Sequence, residues 1–143
     1  MIMLRTIGAI VVLLATSVVG RTQDKLFDNF NTNACGFTDN ATFTLRTSAH
    51  VNQIQVWYNW QNRESSVRYS ILRHNQTIQD GVLARAECDP YQNSWCLASA
   101  RVEINLDPGE YTIRTAHPKV CQNRGSNSVG FVKVFGRFTR IHE

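Results

Sequence analysis

Residues 51–60 alternate strictly enough between apolar and polar side chains to dictate an extended backbone. Ile54, Val56, Tyr58 and Trp60 fall on one face, and Gln53, Gln55, Trp57 and Asn59 on the other. A helix would need a period near 3.6, whereas this period is two. The same alternation returns in residues 41–45 (Phe43, Leu45), 66–72 (Val67, Tyr69 and Ile71 inward, Arg68 outward) and 100–106 (Val102, Ile104, Leu106). Residues 77–85 read as a looser strand and residues 130–136 as the last long one. Turn formers separate these runs. His74-Asn75-Gln76 is one turn. Asp107-Pro108-Gly109-Glu110 is another, where Pro presets φ and Gly accepts a positive φ. The second predicts a hairpin between residues 100–106 and 111–115. No segment carries an amphipathic helical stripe. Seven to nine short strands with turns between them predict an all-β fold, an antiparallel β-sandwich or jelly roll.

A length of 143 residues allows one domain. Its first 20 residues do not belong to the strand pattern. Arg5 precedes an apolar run from Ile7 to Leu14, and small residues follow. That order predicts a secretory signal peptide over residues 1–20 and one domain over residues 21–143, with a core at about 27–136. The run falls short of the roughly 20 apolar residues a bilayer span requires, so no membrane span is expected after cleavage. Residues 21–26 and 137–143 read as tails. The 43% hydrophobic content is therefore inflated by a segment outside the domain.

Export makes the four cysteines candidates for disulfides. Cys88 and Cys96 bracket a short loop containing Pro90 and Asn93, so its ends can meet. Pairing these two leaves Cys35 with Cys121. No two cysteines have the close spacing of a zinc site, so no metal is expected.

Four motifs occur together: Cys88-Asp-Pro-Tyr-Gln-Asn-Ser-Trp-Cys96, Trp57-Tyr-Asn-Trp60, Pro108-Gly-Glu-Tyr-Thr112 and Asn123-Arg-Gly-Ser-Asn-Ser-Val-Gly-Phe131. As a set they resemble a family of small secreted bacterial β-domains of unknown function. More loosely they are similar to the pre-peptidase C-terminal type of β-sandwich, in which a Gly-x-Tyr turn precedes a late strand. The resemblance implies a β-sandwich and an extracellular or periplasmic location. The looser family commonly binds calcium through acidic residues, and this chain lacks the matching acidic cluster.

Catalytic patterns are sparse. His50, His74, His117 and His142 stand apart without metal-ligand neighbours. Glu87 and Asp89 flank Cys88, but a glycosidase holds its two carboxylates across a cleft. No Gly-x-Ser-x-Gly elbow, phosphate loop or dinucleotide fingerprint occurs, so no cofactor and no enzymatic activity are expected, a hydrolase being the weakest reading. The net charge of +4 comes from scattered residues with no basic stripe, which argues against nucleic acid as partner, although anionic surfaces remain compatible with it.

A binding face is the stronger expectation. Trp57 sits on the polar side of its strand, between Gln55 and Asn59, where alternation does not require an indole. Aromatic faces stack while amides and guanidinium groups give directional hydrogen bonds. Trp57, Asn59 and Arg68, with Tyr91 and Trp95 of the disulfide loop, are the candidate contacts, and Arg124 of the polar loop after Cys121 is a further one. Packing of Trp57 against Trp95 or under the disulfide loop is the competing reading. Two functions follow: an exported binding module for a carbohydrate, an envelope component or a protein, or an inhibitor or immunity-type protein presenting the Cys88–Cys96 loop to a partner enzyme.

Overall fold

The structure is a computed structural model that describes residues 23–61 and 64–139. The segment 1–20 and the end of the basic tail, Arg140 included, lie outside the described residues. Ten strands form: β1 (Asp24–Asp28), β2 (Gly36–Thr38), β3 (Asn40–Leu45), β4 (Ala49–Asn59), β5 (Ser66–Arg73), β6 (Gln76–Cys88), β7 (Trp95–Leu106), β8 (Gly109–Thr115), β9 (Val120–Gln122) and β10 (Val132–Phe138). A single 3-10 turn, Arg124–Ser126, is the one helical element among the described residues. Every strand pair is antiparallel.

The strands form one hydrogen-bonded path, β1-β10-β4-β7-β6-β5-β8-β3, with β2 and β9 attached at the end of β4. The path folds over itself at β6. Its residues from Gln76 to Ala84 pair with β5, and those from Ala84 to Cys88 pair with β7. One long strand thus serves two facing halves, β1-β10-β4-β7 and β5-β8-β3, in a sandwich-like arrangement. The two ends of the path meet, because Phe27 of β1 lies 6.2 Å from Phe43 of β3, ring centre to ring centre. Phe43 in turn stacks on Tyr111 at 5.4 Å.

The alternating residues fill the space between the halves. Phe43, Leu45, Ile54, Val56, Tyr58, Trp60, Val67, Tyr69, Ile71, Val102, Tyr111 and Ile113 all belong to one buried cluster. Their burial is the main driving force, since each large side chain removed from water contributes about 1.5–3 kcal/mol. β4 departs once from its period. Its register shifts between Val51 and Gln53 against both β10 and β7. Asn52 falls out of phase, so Val51 and Ile54, three residues apart, both face the core.

Three expectations are corrected. The Asp107–Glu110 turn does not close a hairpin, because β7 pairs with β4 and β6 while β8 pairs with β3 and β5. The turn instead carries the chain from one half to the other. Gly109 adopts φ 152°, and the Tyr111 hydroxyl donates back to the Asp107 carbonyl at 2.6 Å. The second correction concerns residues 21–26 and 137–143, read as tails: Arg137 and Phe138 extend β10 against His50 and Ala49 of β4. Asp24–Asp28 forms β1 against β10, and Leu26 and Phe27 pack on the core. The last is the strand number, ten among the described residues rather than seven to nine. The extra pair, β2 with β9, has only three residues a side, too short for a period to show. The turn at His74-Asn75 is a true two-residue hairpin, with φ of 51° and 61°.

Candidate ligand-binding cleft

β4 and β7 lie side by side, and their register pairs Trp57 with Leu97 and Asn59 with Trp95. The two tryptophans are therefore diagonal neighbours on the outer face, and their side chains meet. Their rings are near parallel, 13° apart, with centroids 6.5 Å from each other. Both are half-buried. Phe37 of β2 adds a third near-parallel ring, 5.6 Å from Trp95 at 11°. Phe30 stands tilted, 6.4 Å from Trp57 and 5.4 Å from Phe131. The Lys133 ammonium sits 4.4 Å above the Phe30 ring, a cation–π contact.

Phe30, Trp57, Trp95, Phe131 and Lys133 line an open cleft of about 720 Å³, the size of a small-ligand site, and Phe37 backs Trp95 from outside the lining. Trp57, Trp95, Leu97 and Phe131 supply its apolar surface. One wall is the segment 30–35, ending at Cys35, which is bonded to Cys121 of β9. The other wall is Glu87, Cys88, Asp89 and Gln92, closed by the Cys88–Cys96 bond. Both expected disulfides are present, and each fixes one wall.

Hydrogen bonds complete the walls. Asn29 donates to the Gly130 carbonyl at 3.0 Å and accepts from the Val132 amide at 2.7 Å, holding Phe30 at the head of β10. Asn31 and Asn123 exchange amide hydrogen bonds of 3.0 and 2.7 Å. Asn123 also caps the 3-10 turn, accepting from the Ser126 amide at 3.1 Å. On the opposite wall, the Asp89 carboxylate accepts from the Tyr91 and Gln92 amides at 2.8 and 3.2 Å. Arg85 reaches the Asn93 carbonyl at 2.7 Å. Below Phe30, burial pulls the Asp28 carboxyl up, but the Lys25 hydrogen bond, the Phe30 amide and the charge of Lys133 outweigh it. The net effect holds Asp28 below the usual carboxylate range.

The candidate residues separate. Trp57 and Trp95 come together, so the indole on the polar face both packs against its partner and lines the cleft. Asn59 does not join them. It is 9% exposed, its backbone N–H donates to the Lys119 carbonyl, and among the described residues its side-chain Oδ1 is buried without a hydrogen-bond partner. Arg68 lies on β5, three strands from β4 along the path, in a separate groove with Asp80 and Arg114. Alternation correctly placed it outward but carried no information on which strand adjoins which. Tyr91 stands at the tip of the disulfide loop, 94% exposed, outside the cleft lining. Arg124 is exposed on the 3-10 turn and also outside it. Its loop contributes through Asn123 instead.

Phe30, Asn33 and Lys133 were not legible as site residues. Phe30 sits in an irregular Asn-rich stretch (Asn29, Asn31, Asn33), and an aromatic side chain among turn formers is the one signal the sequence offered. Among the described residues no group of three His, Cys, Asp or Glu is placed to hold a metal ion. No family model matches the chain. No curated protein matches it either.

Proposed function

We propose that this chain is an exported, non-enzymatic binding module whose ligand is a carbohydrate, free or part of a cell envelope, seated in the cleft on Trp57 and Trp95. The observation that carries this reading is the near-parallel indole pair, half-buried and open to a cleft whose rim offers polar groups. A sugar ring presents an apolar C–H face to an indole and hydroxyls to its surroundings. Asn33 and Gln92 supply amides at that rim. Glu87 and Asp89 stand on one wall rather than facing each other across the cleft, an arrangement suited to holding a ligand, not to cleaving a glycosidic bond. Two disulfides are compatible with an oxidising compartment, and the apolar leader and the resemblance to small secreted bacterial β-domains agree with export.

A glycan array tests the reading directly. The unmodified domain should retain a defined set of glycans, and Trp57→Ala should lose them while keeping its far-ultraviolet dichroism and a cooperative unfolding transition. An empty array, or binding untouched by Trp57→Ala, removes the proposal.

One observation favours a second reading, an inhibitor or immunity-type protein. Tyr91 projects, 94% exposed, from a loop tied at its base by Cys88–Cys96. An exposed aromatic on a rigid tip is the form a protein hot spot takes. This reading expects a single stoichiometric protein partner in envelope extract, lost on Tyr91→Ala and kept on Trp57→Ala.

A further inference from the structure

We infer that the cleft selects glycans bearing free, protonated amines, that is, de-N-acetylated amino sugars, over their neutral N-acetylated counterparts. The inference rests on the carbohydrate reading above and specifies its ligand class.

Its basis is a local reversal of charge. The chain as a whole carries +4. The cleft lining holds two carboxylates, Glu87 and Asp89, against one ammonium, Lys133. That ammonium is already engaged. It lies over Phe30 at 4.4 Å, and its charge acts on Asp28 below. Glu87 and Asp89 have no such compensation, since neither joins an ion pair among the described residues. Asp89 is also held in place, because its carboxylate accepts the Tyr91 and Gln92 amides.

The aromatic surface acts in the same direction. Indole and phenyl faces carry negative quadrupole potential and attract cations. Lys133 over Phe30 shows that this face of the protein already accommodates one ammonium on a ring. A sugar stacked on Trp57 or Trp95 would direct a ring substituent toward the Glu87–Asp89 wall. An ammonium there meets the two carboxylates beside aromatic rings whose faces attract cations. An acetamide in the same place carries no charge and leaves the wall unpaired.

The test compares short β-1,4-linked glucosamine oligomers with their N-acetylated equivalents, by isothermal titration of the intact, disulfide-bonded domain at mildly acidic pH. The glucosamine oligomer should bind about tenfold tighter or more, roughly one decade in Kd. That ratio should shrink with added salt. In the Glu87→Gln/Asp89→Asn variant, where Asn preserves the turn at residue 89, the two oligomers should bind alike. Trp57→Ala should abolish binding of the glucosamine oligomer. If that variant still binds it, the attraction is surface adsorption and the inference fails. Equal affinities for the two oligomers in the unmodified domain overturn the amine preference and leave the carbohydrate reading standing. If neither binds, the amine preference falls, and the carbohydrate reading stands or falls on the glycan array. A lysine-rich peptide that matches the glucosamine oligomer also overturns it, since the cleft would then read ammonium groups without a sugar.

Discussion

The Trp57 and Trp95 indoles lie 13° from parallel with centroids 6.5 Å apart, on neighbouring strands whose register sets them diagonally. Each ring limits the other's freedom, so the pair is coupled. Trp57→Ala and Trp95→Ala should each lower stability by about 1–3 kcal/mol, less than a fully buried tryptophan. In a double-mutant cycle the two should be non-additive by about 0.5–1.5 kcal/mol. Urea unfolding of the four proteins measures this, and strict additivity would show that the stack contributes nothing beyond its burial.

The two disulfides should differ in worth. Cys35–Cys121 spans 86 residues and Cys88–Cys96 only 8. Loop-closure entropy gives about 4.5 kcal/mol for the first and about 2.5 kcal/mol for the second. Paired Cys→Ser variants, unfolded in urea under the same conditions, should rank in that order. The Cys88/Cys96 variant should remain folded while losing ligand affinity, because the acidic wall loosens.

Gly136 faces Val51 at the register shift of β4, and a side chain there would collide with the His50 carbonyl oxygen. Gly136→Ala should therefore cost about 3 kcal/mol or more, since backbone rather than a flexible group must yield. Gly81→Ala is the control. Its new methyl would meet the Tyr69 ring at 3.0 Å, and a side chain can shift, so the loss should be closer to about 1 kcal/mol. Thermal unfolding of both variants checks the contrast.

Tyr58 contributes to the alkaline limit, with Tyr69 and Tyr111 raised by burial in the same direction. Burial, and then the charge of Glu64, pushes the Tyr58 hydroxyl up to about 12, against an ordinary value of 10.0. A raised folded-state value means the unfolded chain loses the proton first. The stability held below about pH 10 is then lost as pH climbs toward about 12, by on the order of 2–3 kcal/mol. Tyr58→Phe should flatten that decline. Among the described residues the Tyr58 hydroxyl has no hydrogen-bond partner, so the same variant should be neutral or stabilising at pH 7. A pH series of unfolding midpoints for the two proteins decides it.

The period of two identified inside and outside on most strands, because water exclusion acts residue by residue. It placed Ile54, Val56, Tyr58 and Trp60 in the core and Trp57 outside it. Turn chemistry placed His74-Asn75, since Asn tolerates the positive φ that both central residues of a type I′ hairpin loop adopt. Strand neighbourhood was hidden, because backbone pairing is blind to side-chain pattern. Arg68 obeyed its alternation and still ended in another groove. Asn59 pointed outward by period, yet it is buried where its backbone bonds the segment leading into β9, a pairing between residues 60 positions apart in the chain. Within the cleft, the tryptophans and cysteines were legible through their chemistry. Phe30 and Lys133 were not, because irregular backbone and a single strand-borne lysine carry no periodic signal.

The pairing of each cleft wall with its own disulfide has a thermodynamic consequence for whatever binds there. Segment 30–35 and the Glu87–Gln92 wall are covalently tied to strands, at Cys121 and at Cys96 respectively. Most of the ordering that a ligand would otherwise have to impose is complete once the chain has folded and oxidised. Association should then proceed as entry into a preorganised site, with little entropy lost to loop closure and backbone amide exchange in the walls nearly the same with and without ligand. Reduction would transfer that ordering cost to the binding step, so the oxidation state of the two bridges sets the affinity as well as the stability.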